Sequence, residues 1–175
     1  MSGYSQNTQQ SAHPGPTPPA SAPAAAGVPQ GPVIAGIVGA VIALIGSFLA
    51  WSTVDGGELG TESSSGMKGD GLWTLIAAIV AAGLFAAVFL TRKHLYALIS
   101  LVPSAVVLIV AVLNFVSPDR AARADLKDQG ADDATIDQIM DAFDVSAGVG
   151  VYATLLGALV ALGAGAFVAV QARKA

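Results

Sequence analysis

The chain has 175 residues, 54% of them hydrophobic and 11% charged, with a formal charge of −4. A soluble domain carries about 25% charged residues, so a core assembled in water is excluded. With no cysteine there are no disulfide staples, thiolate metal sites or thiol redox relays, and two histidines, His13 and His94, are too few for a His-rich metal site.

Residues 1–32 hold seven of the nine prolines and no charged side chain. Such a composition cannot bury enough apolar surface to order itself, and it predicts a disordered, passive solubilising tail. Pro14, Pro16, Pro18 and Pro19 offer a short polyproline II stretch for an aromatic groove. A secretory signal needs a basic start and a short apolar run. An uncharged leader ahead of a longer apolar stretch fits that pattern poorly, so the first span is expected to be retained. Ala50-Trp51-Ser52 does have the small-x-small form of a cleavage site.

Residues 33–175 read as a membrane domain. Segments 33–54, 72–91, 95–116 and 149–171 contain no Asp, Glu, Lys or Arg, and each has the roughly 20 residues needed to cross about 30 Å of hydrocarbon. The predicted fold is all-α: a bundle of four transmembrane helices with a disordered N-terminal tail and a short helical extracellular loop. Pro32 suits the first turn of span one, and Trp51 suits the interface at its end. Asp55-Gly56-Gly57 and Ser63, Ser64 and Ser65 read as polar loop. Span two starts at Trp73 and ends at Thr91-Arg92-Lys93-His94, a turn so tight that spans two and three form an antiparallel hairpin. Pro103 predicts a mild kink in span three, with Ser100 or Ser104 helping to satisfy the freed backbone.

The loop at 117–147 is expected to open with Ser117 as N-cap and Pro118 at the first helical position of a short helix that Gly130 ends. A second helix follows Asp132-Asp133. Its Ile136, Ile139, Met140 and Phe143 are spaced i, i+3, i+4, i+7 and share one face, opposite Asp137, Asp141 and Asp144. That stripe is expected to lie on the bilayer or over the bundle mouth, with a partner-docking face as the second use. All twelve acidic residues fall in the two longer connections, whereas Arg92-Lys93 and Arg173-Lys174 have no acidic neighbours. The basic residues therefore place the tight turn and both termini in the cytoplasm.

Span four repeats small residues every fourth position, at Ala153, Gly157, Ala161, Gly165 and Ala169. Span one has Ala35, Gly39 and Ala43, and span two has Ala78, Ala82 and Ala86. Edges without side chains let helices approach closely, and packing within the bundle is preferred over a homodimer face; the oligomeric state stays open. Gly69-Asp70-Gly71-Leu72-Trp73 and Gly148-Val149-Gly150-Val151-Tyr152 echo one another at the starts of spans two and four, as two tandem helix pairs would; shared helix-start chemistry explains the echo equally well.

Chemistry is sparse. The in-span polar residues are Ser47, Thr74, Ser100, Ser104, Asn114 and Thr154, none of them ionisable, whereas small four-helix multidrug exporters depend on a membrane-embedded glutamate. The run from Asp125 fails the calcium-loop pattern: Lys127 and Gln129 stand at ligand positions and Ile136 replaces the closing glutamate. Asp128, Asp132 and Asp133 offer at most loose cation binding. Gly69-x-Gly71 lacks the third glycine and lysine of a nucleotide loop, and Ser63, Ser64 and Ser65 have no histidine on their side of the membrane. No enzyme, cofactor, metal or nucleic-acid partner is expected.

The Pro/Gln/Ala-rich leader, the Trp-Ser after span one and the Gly-Asp-Gly-Leu-Trp and Gly-Val-Gly-Val-Tyr helix starts resemble those of small uncharacterised four-span membrane proteins of high-GC Gram-positive bacteria. The resemblance implies a plasma-membrane location and no activity. The topology is similar to that of claudins and tetraspanins, without their loop cysteines. The reading is a non-enzymatic multi-pass plasma-membrane protein, a scaffold or accessory subunit touching the lipid bilayer and another membrane protein. The alternative is a small-molecule permease or channel.

Overall fold

The structure is a computed structural model and describes residues 27–174. The expected polyproline stretch and most of the proline-rich tail lie outside the described residues. Four helices are long and apolar enough to cross a membrane: α1 (Gln30–Phe48), α2 (Gly71–Thr91), α3 (His94–Val116) and α6 (Val149–Ala172). They form a ring in sequence order, each packing on its two neighbours, with α6 closing back onto α1. Large apolar side chains such as Ile45, Leu90, Val102, Ile109, Leu156 and Phe167 point away from the ring, as a bundle solvated by lipid requires.

Close approach is the packing rule, since in lipid the helices associate through van der Waals fit and not through exclusion of water. Along α1 and α6, Gly39 and Ala43 interlock with Gly157 and Ala161: a Cβ placed on Gly39 would lie 2.7 Å from the Gly157 carbonyl oxygen and the Ala161 nitrogen. Gly36 leaves room for the Phe85 ring of α2, which is fully buried. Of the small residues singled out above, Gly39, Ala43, Gly157, Ala161, Gly165 and Ala169 are buried inside the bundle, while Ala35 and Ala153 are half-buried. In α2, Ala78 is buried, with Ala82 and Ala86 half-buried.

The spans fall close to their expected limits except the first. Helix α1 starts at Gln30, Pro32 stands in its first turn, and Val28 just ahead of it is buried against Val33, Val88, Ala97 and Val168. At the other end α1 stops at Phe48, and the chain continues as strand β1 (Ala50–Asp55). The tight turn is closed by Arg92 in the left-handed region (φ 57°), its guanidinium over the Phe89 ring. Helix α3 runs unbroken through Pro103; Ser100 Oγ donates to the Ala97 carbonyl, and Ser104 Oγ has no partner among the described residues.

The all-α expectation is corrected at the end of the bundle opposite that turn. Strand β1 is the centre of an antiparallel three-stranded sheet, between β2 (Thr61–Ser65) and β3 (Asp144–Ala147). Residues 55–57 and 63–65, read above as loop, form the end of β1, the start of the turn and part of the second strand of a hairpin. Gly57 and Gly60 supply positive φ, and Asp55 Oδ1 accepts from the Gly57 N–H at 2.9 Å. An Asp-Gly turn after an alternating segment is a hairpin signal. The apolar character of Leu49, Trp51 and Val54 hid it by extending the helical run.

Two short helices complete this cap, α4 (Asp119–Asp128) and α5 (Asp133–Ala142). Pro118 occupies the N-cap of α4, one residue later than expected, and the helix ends before Gly130, whose φ is 89°. Asp132 caps α5, its Oδ1 accepting from the Thr135 N–H at 2.7 Å. The second apolar helix is shorter than the stripe: Phe143 is already extended, and Asp144 belongs to β3.

Candidate functional site in the cap

The cap is seated by Trp51. A register irregularity between Ala50 and Ser52 takes this residue out of the ladder, as a bulge does when it re-aims a side chain. The indole is 1% exposed, and its Nε1 donates to the Gly46 carbonyl at 2.9 Å, the last turn of α1. Gly66, Gly148 and Gly150 crowd around Trp51 and the neighbouring Ala50 backbone so closely that a Cβ on any of them would collide. The expected interfacial Trp51 is thus a buried anchor. The two echoed aromatics, Trp73 and Tyr152, are the exposed ones, and Tyr152 meets Phe115 edge-on at 5.6 Å. Ala50-Trp51-Ser52, with its cleavage-site form, is the first half of the central strand.

Cross-strand pairs make the sheet two-faced. Val54 stands opposite Glu62 and Val145, and Ser52 opposite Ser64 and Ala147, on one face; Thr53, Asp55, Ser63, Ser146 and Asp144 fall on the other. The two ladders put Asp55 directly opposite Asp144, a like-charge pairing that works against the strand contact.

Basic side chains of the cap are all engaged. Lys68 meets Asp125 at 3.3 Å, Arg120 meets Asp70 at 2.9 Å, Arg123 meets both Asp119 and Asp137 at 2.7 Å, and Lys127 meets Asp133 at 3.0 Å. Asp70, at the start of α2, also accepts from Asn114 Nδ2 at 3.3 Å, tying the ends of α2 and α3 to α4. Hydrogen bonds to Asp137 and Asp119 raise the pKa of Arg123 further. Burial works against ionisation of Asp125, but hydrogen bonds from Gln129, Lys68 and Ser64 together hold its carboxyl below the ordinary value. Asp132 is lowered by its bonds from Thr135. Asp55, Glu58, Glu62, Asp128, Asp141 and Asp144 have no basic partner among the described residues.

A cavity of about 460 Å³ opens between β2 and the two cap helices. Val54, Leu126, Ile139, Met140 and Phe143 give it an apolar floor; Glu62, Ser63, Ser64, Asp125 and Gln129 give it a polar wall. The proposed partner stripe therefore divides. Ile136 is 2% exposed and spent on holding the cap together, while Ile139, Met140 and Phe143 are half-buried and face this cavity. A smaller pocket of about 250 Å³ lies beside Asp70, Arg120 and Arg123. Sequence reasoning found the helix face but not the part of the opposing wall, Glu62, Ser63 and Ser64, that the unrecognised hairpin supplies.

The in-span polar residues divide by depth. Ser47, Thr74, Asn114 and Thr154, one from each long helix, are buried within two turns of the cap. Ser47 and Thr74 return their hydroxyls to the Ala43 and Asp70 carbonyls, Asn114 bonds to the Val110 carbonyl, and Thr154 Oγ1 lies against Gly46 with no hydrogen-bond partner among the described residues. Ser64 donates to Asp125 at 3.1 Å, and His94 starts α3 at the far end of the bundle. Among the described residues no group of three or more His, Asp or Glu side chains is placed to hold a metal ion. Comparison with known protein families, with curated proteins and with solved structures returned no match.

Proposed function

We propose that this chain is a non-enzymatic, multi-pass plasma-membrane protein acting as a scaffold or accessory subunit: the four-helix bundle anchors and the cap presents the recognition surface. Both termini and the Arg92-Lys93 turn face the cytoplasm, and the cap faces outward. The positive-inside rule supports this orientation, because the turn and the C-terminus carry basic residues without acidic ones. The observation that carries the reading is where concavity lies. Both cavities described above are in the cap, whereas along the seam between α1 and α6 Gly39, Gly46 and Gly157 pack too closely for another methyl group.

Crosslinking in native membranes followed by mass spectrometry tests it, with Ile139→Asp plus Phe143→Asp as the comparison. The wild-type protein is expected to yield a reproducible crosslinked membrane partner through the cap, and the double variant to insert normally while losing that crosslink. An unchanged crosslink removes the cap from the interaction.

A small-molecule permease or channel is the second reading. The buried polar layer of Ser47, Thr74, Asn114 and Thr154, with an unpaired hydroxyl at Thr154, favours it, since a conduction path needs polar groups from several helices at one depth.

A further inference from the structure

We propose that the cap cavity receives an extended, cationic segment of a partner protein, running along β2 and setting an apolar side chain on Ile139, Met140 and Phe143. The inference rests on the scaffold reading and names the chemistry of its partner.

Three observations converge. The cavity, about 460 Å³, has the size of a small recognition pocket, enough for one or two side chains and not for a folded element. Its polar wall is the face of β2 that carries Glu62 and Ser64, continuous with Val54 of β1, a surface along which an extended segment can lie with alternate side chains turned inward. Its charge has one sign. Glu62 projects from β2 at the rim, exposed and without a basic partner, and Glu58 lies in the same hairpin. Lys68 and Lys127, two of the cap's own cations, are already paired with Asp125 and Asp133. An incoming lysine or arginine therefore meets unpaired carboxylates, and an acidic segment meets only repulsion. Alternation of apolar and basic residues is what a strand beside this wall requires, because side chains two apart along it share a face.

The test uses the full chain in nanodiscs of zwitterionic phosphatidylcholine, with empty nanodiscs as the lipid control. The probe is the capped, fluorescent pentapeptide Lys-Val-Lys-Val-Lys, compared with Glu-Val-Glu-Val-Glu by anisotropy. The cationic peptide is expected to bind at least about tenfold tighter than the acidic one and to weaken with added salt. Glu62→Gln, an exposed change that leaves the fold intact, is expected to cost about threefold, and Met140→Ala a further comparable loss. Equal binding of both peptides, or affinity unmoved by Glu62→Gln and Met140→Ala together, overturns the proposal. The scaffold reading fails separately. A crosslinked partner lost in the Ile139→Asp, Phe143→Asp variant without cationic-peptide binding leaves the scaffold standing and removes this inference. Peptide binding without any crosslinked partner confirms the cavity's preference for a cationic segment but removes the scaffold reading, and with it the partner protein.

Discussion

Glycines in this chain fall into two kinds that look alike in one dimension. A Cβ on Gly157 would sit 2.5 Å from the Gly39 carbonyl oxygen and the Ala43 nitrogen, whereas a Cβ on Gly83 or Gly163 would meet nothing within 4 Å. Backbone cannot move aside as a flexible side chain does, so Gly39→Ala and Gly157→Ala should each destabilise the bundle by about 1–3 kcal/mol, and the double variant by less than the sum, since the two sites touch. Gly83→Ala and Gly163→Ala should be neutral or stabilising, alanine being the better helix former by about 1 kcal/mol. Unfolding in mixed detergent with rising dodecyl sulfate measures all four. If Gly163→Ala proves as costly as Gly157→Ala, the seam between α1 and α6 is not the point of closest contact.

Among the elements, the cap differs from the bundle in what holds it. The bundle relies on shape in an apolar medium, the cap on one buried indole and on ion pairs and a helix cap made of carboxylates. Asp125 and Asp132 both have carboxyl groups held below their ordinary values. They bind protons less readily folded than unfolded, so their stabilisation is complete above the unfolded value near pH 4 and is lost as pH falls through the folded one. Acidification below about pH 4 should therefore loosen the cap and leave the bundle helical. The measurement is Trp51 fluorescence in a Trp73→Phe background alongside far-ultraviolet circular dichroism. Trp51 emission should shift to the red before helicity falls, and Asp125→Asn should flatten that acid limb. Simultaneous loss of both signals would mean that cap and bundle unfold as one unit.

Taken whole, the molecule is an asymmetric stack, acidic at the cap and basic at the other end, and its freedom from cysteine makes that asymmetry directly measurable. With a membrane-impermeant thiol reagent on intact cells, Glu58→Cys should label from outside and Arg173→Cys only after permeabilisation. Ser104→Cys and Asn114→Cys, at positions 1% exposed, should stay unlabelled in both conditions. Rapid labelling of Ser104→Cys would reveal water deep in the bundle and transfer the case to the permease.

The four apolar helices were legible without coordinates, because a segment that must cross hydrocarbon has to exclude charge along its whole length, and three of the four span boundaries fall within one residue of the charge-free segments. Helical periodicity is local, so the helix carrying Ile136, Ile139 and Met140 was legible too, but its end before Phe143 was not. The sheet was not. Its strands come from residues 50–65 and 144–147, about ninety positions apart, and β3 is only four residues long, too short to announce itself. Nor could any one-dimensional pattern assign Trp51 to the interior, choose Gly157 over Gly163 as the contact glycine, or set Glu62 across from Met140. Those outcomes depend on which surfaces meet once the helices close into a ring, and tertiary packing alone decided them.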